Sequence, residues 1–314
     1  MARYECAVDV AGLDAVDTHV HVEKDHAGHH SLPPEVIEAA ARYFRAPTER
    51  PTVDETAAYY RERATAAVVF TVDATTQLGH PPNSVDDLVA GASANADVLI
   101  PFGSVDPRRP DALDEARRQL DDLGVRGMKF HPTLQGFDPS DERWFPLYDL
   151  VDAAGVPALF HTGQTGIGAG MPGGHGLRLG LSNPMLLDVV AGAFPRLTVI
   201  MAHPSVPWQD EAIAVATHKG NAYIDLSGWS PKYFPEALVR QANGPLQDKV
   251  LFGSDYPLLT PDRWRRDVAG LGLKDDVLPK ILKENAVRVL GLAGAAVGAS
   301  DGTSTGTSTG RSRA

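Results

Sequence analysis

The chain has 314 residues, 43% of them hydrophobic and 22% charged, the composition of a soluble globular protein with a sizeable core in one large domain. A formal net charge of −11 argues against a nucleic-acid partner, because phosphate recognition needs a basic face. No apolar run approaches a membrane span, Met1 to Cys6 is not followed by an apolar signal-peptide core, and the single cysteine, Cys6, forbids an intrachain disulfide. A cytoplasmic protein that meets neither membrane nor nucleic acid is expected.

The first strong element is Leu13-Asp14-Ala15-Val16, which runs into Asp17-Thr18-His19-Val20-His21. Side chains alternate along a strand, so His19 and His21 point to one face, and two imidazoles at a strand end are half a metal site. Alone, such a pair reads more readily as surface histidines in a loop. The segment from Glu23 to Tyr60 is longer than one crossover helix needs and predicts a lid or subunit-contact insertion over the site mouth. Its His26, His29 and His30 read as solvated loop residues ahead of metal ligands. Further β-rich runs follow at Ala66 to Val72, Val98 to Val105, Gly127 to Phe130, Pro157 to His161, Leu197 to His203, Ala222 to Ser227 and Val250 to Asp255. Helix-like stretches such as Pro110 to Leu120 lie between them, with apolar residues at helical spacing and acidic residues in the first turns.

With Ala15 to Val22 these runs number eight, and crossovers of this kind force parallel pairing. The prediction is an α/β fold, a closed (β/α)8 TIM barrel over residues 1–297 with residues 23–60 inserted as a lid; such a barrel uses about 250 residues as one domain. The Gly-Thr-Ser-Thr repetition of residues 298–314 predicts a disordered tail. An open doubly wound sheet would gather its ligands at one switch point. Here the apolar runs of the first, fifth, sixth and eighth strands stop on His19 and His21, His161, His203 and Asp255, and only closure brings those ends around one centre.

Lys129 and His131 share a face at the end of the fourth run by strand alternation. His131 is a substrate contact or a packed barrel histidine. The loop from Gly163 to Asn183 is rich in glycine and leaves from the strand end where barrel active sites form. Arg178 in that loop and Trp229 after the seventh run are contacts for an aromatic or anionic substrate, or ordinary loop residues.

Taken together, Asp17-Thr18-His19-Val20-His21, Gly127-Met128-Lys129-Phe130-His131-Pro132, His161-Thr162-Gly163, Ala202-His203-Pro204 and Gly253-Ser254-Asp255-Tyr256-Pro257 resemble the amidohydrolase superfamily. The resemblance is to its amidohydrolase-related branch, which also holds the aminocarboxymuconate semialdehyde decarboxylase group, and it spans Val16 to Leu292. It implies His19, His21, His161 and Asp255 as ligands of one divalent metal ion, zinc foremost with manganese or another divalent ion as alternatives, and one coordination position left open. It implies His203 as a proton carrier beside the metal and Asp255 as the group that holds and deprotonates a metal-activated water. Lys129 stands where binuclear members carry a carboxylated, bridging lysine; the Lys-Phe-His-Pro form favours an unmodified cation that meets substrate. A homodimer or higher homo-oligomer is expected on the same ground.

The functional expectation is a metal-dependent hydrolase that directs an activated water at a carbonyl-containing small molecule, with carbon–carbon hydrolysis of an aromatic β-keto thioester as one form. The alternative is a metal-dependent non-oxidative decarboxylase of an aromatic or unsaturated carboxylic acid, for which Lys129 or Arg178 would receive the departing carboxylate. A barrel that has lost catalysis would show an eroded ligand set, whereas these positions all hold chemically competent residues.

Overall fold

The computed structural model describes residues 3–292. The chain alternates strand and helix: β1 (Ala15–His21), α1 (Pro34–Phe44), α2 (Val53–Arg61), β2 (Thr65–Phe70), α3 (Thr75–Leu78), α4 (Val85–Ala94), β3 (Leu99–Pro101), α5 (Ala112–Arg118) and β4 (Met128–Phe130). It continues with α6 (Pro132–Gln135), α7 (Phe145–Ala153), β5 (Ala158–His161), α8 (Met185–Ala193), β6 (Val199–Ala202), α9 (Gln209–His218), β7 (Ala222–Asp225), α10 (Glu236–Ala242), β8 (Val250–Leu251), α11 (Pro261–Val268) and α12 (Asn285–Val289). Thr65-Ala66-Ala67-Val68-Val69-Phe70 is buried at every position, the run expected of a strand covered on both faces.

All strand pairs are parallel and in sequence order, β1-β2-β3 in one group and β4 through β8 in the other. Two seams join the groups. At one, the Gly103 N–H donates to Gly127 O and the Lys129 N–H to Gly103 O, both at 2.8 Å. At the other, the Thr18 N–H donates to Phe252 O at 3.0 Å, the His21 N–H to Tyr256 O at 2.8 Å and the Asp255 N–H to His19 O at 3.0 Å. These bonds bring β1 against β8 and complete the circuit of a TIM barrel.

Two layers of core follow from this arrangement. Val16, Val68, Ile100, Leu159, Ile200 and Leu251 fill the barrel interior, with Val8, Ala286 and Leu290 packed against them from the terminal segments. The larger layer lies between sheet and helices. Each of the eight expected strands is present, shorter than its apolar run, because the last residues of several runs leave the ladder to form the rim. The expected helix over 110–120 begins at Ala112 and runs on as a π-turn over Gln119–Leu123. The segment expected as an insertion divides into α1 and α2; α2 carries a Thr52/Glu55 capping box and is the crossover into β2, so the part beyond an ordinary crossover is the earlier one, with α1. This earlier part packs Leu32, Val36 and Ile37 on Val72, Ala74 and Leu134. Among the described residues no helix is long and apolar enough to cross a membrane. The tail over residues 298–314 lies outside the described residues.

Candidate metal centre

β1 carries the first two ligand candidates to the barrel rim, and its pairing with β2 shifts register between Asp17 and Val20. A bulge at this point re-aims the side chains that follow it. The imidazoles of His19 and His21 stand with ring centroids 5.3 Å apart. Both present Nε2 to one oxygen: Asp255 Oδ1 lies 3.4 Å from His19 Nε2 and 3.3 Å from His21 Nε2. Asp255 follows β8 with φ 76°, and His203 follows β6 with φ 72°. Left-handed backbone at two non-glycine residues costs free energy and persists where the surroundings hold it, typically at functional sites. Gly228 makes the close approach possible, because a Cβ there would lie 2.6 Å from His203 Nδ1 and 3.3 Å from Asp255 Oδ2.

Asp225, at the end of β7, was not singled out from the sequence. It is fully buried and accepts a 2.8 Å hydrogen bond from His19 Nδ1, which places the His19 proton on Nδ1 and leaves Nε2 with a lone pair facing Asp255. Its other oxygen accepts the Ser227 N–H at 2.8 Å. Asp17 plays a similar part beneath the strand, taking the N–H groups of His19 and Ser254 at 3.1 and 2.9 Å and the Tyr60 hydroxyl at 2.7 Å. Burial pushes the Asp17 carboxyl up to about 7 despite these donors. The signal for Asp225 was present: Ala222-Tyr223-Ile224-Asp225 is an apolar run that stops on a carboxylate, the same pattern that singled out Asp255.

His161 ends β5 beside this cluster. His19, His21 and Asp255 have ligating atoms within 4.8 Å of one another, and His161 is not in that group. Its Nδ1 lies 2.9 Å from His203 Nε2, and its Nε2 is buried without a hydrogen-bond partner. His203 Nδ1 in turn lies 2.9 Å from Ser227 Oγ. Burial, with the Lys129 charge adding to it, holds His19 well below the ordinary imidazole value, and burial lowers His161 and His203 as well. Burial opposes ionisation of Asp255, yet its hydrogen bond to His21 and the facing imidazoles of His19 and His203 keep its carboxyl well below the usual carboxylate range. Neutral imidazoles, a carboxylate and an orphaned buried ring nitrogen are the donor set of a divalent metal site. A second group, His19, His203 and Asp225, shares His19 but is explained by the hydrogen bond of Asp225 to the far side of the ring.

Lys129 is fully buried, with Nζ 3.3 Å from His19 Nε2. Burial pushes its ammonium down to about 8, against the pull of Asp225 and Asp255. A cleft partly open to solvent lies above, lined by His21, His131, His161, His203 and Asp255 and by Leu32, Tyr43, Phe44, Ile167, Trp229 and Leu258. Trp229 and His131 both line this cavity. Arg178 does not: it is exposed and outside the lining, because its backbone carbonyl is docked on the Thr133 hydroxyl at 3.2 Å. His26 is pinned between Asp87 and Asp54 at 2.9 and 3.1 Å, and none of the loop histidines joins a metal-competent group among the described residues.

The amidohydrolase family model matches residues 16–292, which span all eight strands and the whole site. The chain belongs to the amidohydrolase family. This amidohydrolase matches no curated protein significantly. Among solved structures it resembles an uncharacterized TIM-barrel protein from Bordetella bronchiseptica, with 24% identity over 89% of this chain and 99% of that one and a TM-score of 0.71. It also resembles a dihydroxybenzoic acid decarboxylase from Polaromonas sp. with bound manganese and 2-nitroresorcinol, at 15% identity over 89% and 97% of the two chains and a TM-score of 0.65. A probable 2-pyrone-4,6-dicarboxylic acid hydrolase from Acinetobacter baumannii with citric acid bound is 17% identical over 89% and 100%, with a TM-score of 0.58. At these identities the likeness concerns the fold. Family membership makes the chain an amidohydrolase-type, metal-dependent enzyme.

Proposed function

We propose that this amidohydrolase is a hydrolase of a carbonyl-containing small molecule with a flat apolar body, using one divalent ion held by His19, His21, Asp255 and His161. The observation that carries the reading is the cavity: largely aromatic and aliphatic walls over a base of imidazoles and Asp255, with Glu23 the other carboxylate of the lining and already paired with Arg50, and no lysine or arginine among its lining residues. An ion held there would polarise a carbonyl and lower the pKa of water. The chain's own groups do the rest. Asp255 accepts the proton of the attacking water at its carboxylate and returns that same proton to the leaving group, while His203, tied to Ser227 and His161, orients the base of the site. Lys129 lies under His19 and adds positive potential where negative charge develops. Zinc is the proposed ion, with manganese as the alternative.

Non-oxidative decarboxylation is the second reading, favoured by the Polaromonas decarboxylase among the structural neighbours. A departing carboxylate calls for a cation in the lining, and among the described residues no lysine or arginine lines this cavity, Lys129 lying beneath His19. The test is a substrate panel on zinc- and manganese-loaded protein, with aryl esters, aromatic lactones and aromatic β-keto thioesters set beside dihydroxybenzoates. Hydrolysis of a member of the first group, lost in Asp255→Asn, is expected; carbon dioxide release from the benzoates without hydrolysis would overturn the proposal in favour of the second reading.

A further inference from the structure

His131 follows β4 and starts the single turn of α6, and the polar groups around it are committed except one. Its N–H donates to Gln135 Oε1 at 2.8 Å, and its carbonyl accepts the Gln135 N–H at 2.8 Å. Gln135 Nε2 donates to the carbonyls of Asp73 and Val105 at 2.7 and 2.8 Å, so the amide has only one orientation. The ring Nδ1 accepts the Leu134 N–H at 3.2 Å. A backbone N–H donates only to an unprotonated nitrogen, so the neutral ring carries its proton on Nε2. The ring plane is fixed by stacking on His161, with centroids 3.8 Å and planes 9° apart. Among the described residues no protein atom accepts from Nε2, and His131 lines the cavity together with His161, His203 and Asp255.

We infer that His131 is a fixed hydrogen-bond donor to substrate: its Nε2–H meets the substrate carbonyl oxygen, and its ring takes no part in proton abstraction. The lone pair that a base would need is occupied by the Leu134 N–H, and the donor is oriented before substrate arrives, which is the condition for electrostatic stabilisation without reorganisation. The inference rests on the hydrolase reading for the identity of the accepting oxygen.

The test uses zinc-loaded protein labelled with ¹⁵N-histidine, together with His131→Asn. Asparagine is a favourable residue before a helix, and its side-chain oxygen takes the Leu134 N–H, so the fold is kept while the ring donor is removed. Long-range ¹H–¹⁵N spectra are expected to show His131 Nδ1 unprotonated and the proton on Nε2; a proton on Nδ1 overturns the inference. With 4-nitrophenyl acetate as probe, His131→Asn is expected to lower kcat about 100-fold and to leave KM within a few-fold. An unchanged kcat overturns the inference. A wild-type protein that hydrolyses no aryl ester while its proton sits on Nε2 overturns the hydrolase reading and leaves the donor supported.

Discussion

Asp225 is not among the residues lining the cavity, yet the direction in which His19 offers its lone pair depends on it. Substituting Asp225→Asn leaves the packing nearly unchanged but replaces a carboxylate acceptor with an amide that can turn either atom toward Nδ1. Loss of such a partner typically costs about 10–100-fold in metal affinity. Competition with a chromophoric chelator is expected to show a weakening of that size in Asp225→Asn; wild-type affinity would mean that His19 needs no such partner. The site was legible in sequence where chemistry-bearing residues end apolar runs, as His19, His21, His161, His203 and Asp255 do. What escaped were residues whose role is set by three-dimensional partners: Asp225 opposite a histidine 206 positions away, and Gln135 holding His131. Of the two readings the sequence left open for Arg178, the exposed loop position outside the cavity lining matches the ordinary loop residue.

Among the elements, the lid is held to the barrel by contacts that separate into an apolar and a polar part. The apolar part meets the β5 loop at Gly166, where a Cβ would lie 2.3 Å from the Phe44 ring and 3.0 Å from Tyr43. Gly166→Val is expected to displace the end of α1 and speed limited proteolysis within residues 23–60, with little change in melting temperature; unchanged cleavage would show that the contact does not hold the lid. The polar part includes His26, which clips the loop after β1 to α2 and α4 through Asp54 and Asp87. Hydrogen bonds that the His26 ring donates to the Asp87 and Asp54 carboxylates raise its pKa above the ordinary 6.5. A raised imidazole favours the folded state while protonated, so this stabilisation is complete below 6.5 and is lost as pH rises through the raised value. The exposed position keeps it small. Melting temperatures of wild type and His26→Gln are expected to differ at acid pH and to converge at alkaline pH; a constant gap would assign the effect to packing. Sequence periodicity located every strand, but the run lengths could not tell ladder from rim, because hydrophobicity continues past the last paired residue.

For the molecule as a whole, closure of the barrel converts motifs scattered from residue 19 to residue 255 into one centre, and the seam bonds of Thr18, His21 and Asp255 make β1 and β8 neighbours there. That closure was inferable from the ligand pattern, since no open sheet would gather those four strand ends. The β1 bulge and the left-handed backbone at His203 and Asp255 were not, because each follows from the fit between strands and not from any one strand. The central claim is a single divalent site built on His19, His21 and Asp255, with His161 completing it. Elemental analysis of protein purified without added metal, set beside His19→Ala, Asp255→Ala and Lys129→Ala, tests it most directly. The account predicts about one ion per chain, lost in His19→Ala and Asp255→Ala and kept in Lys129→Ala; no ion in the wild type, or two ions that depend on Lys129, would contradict it.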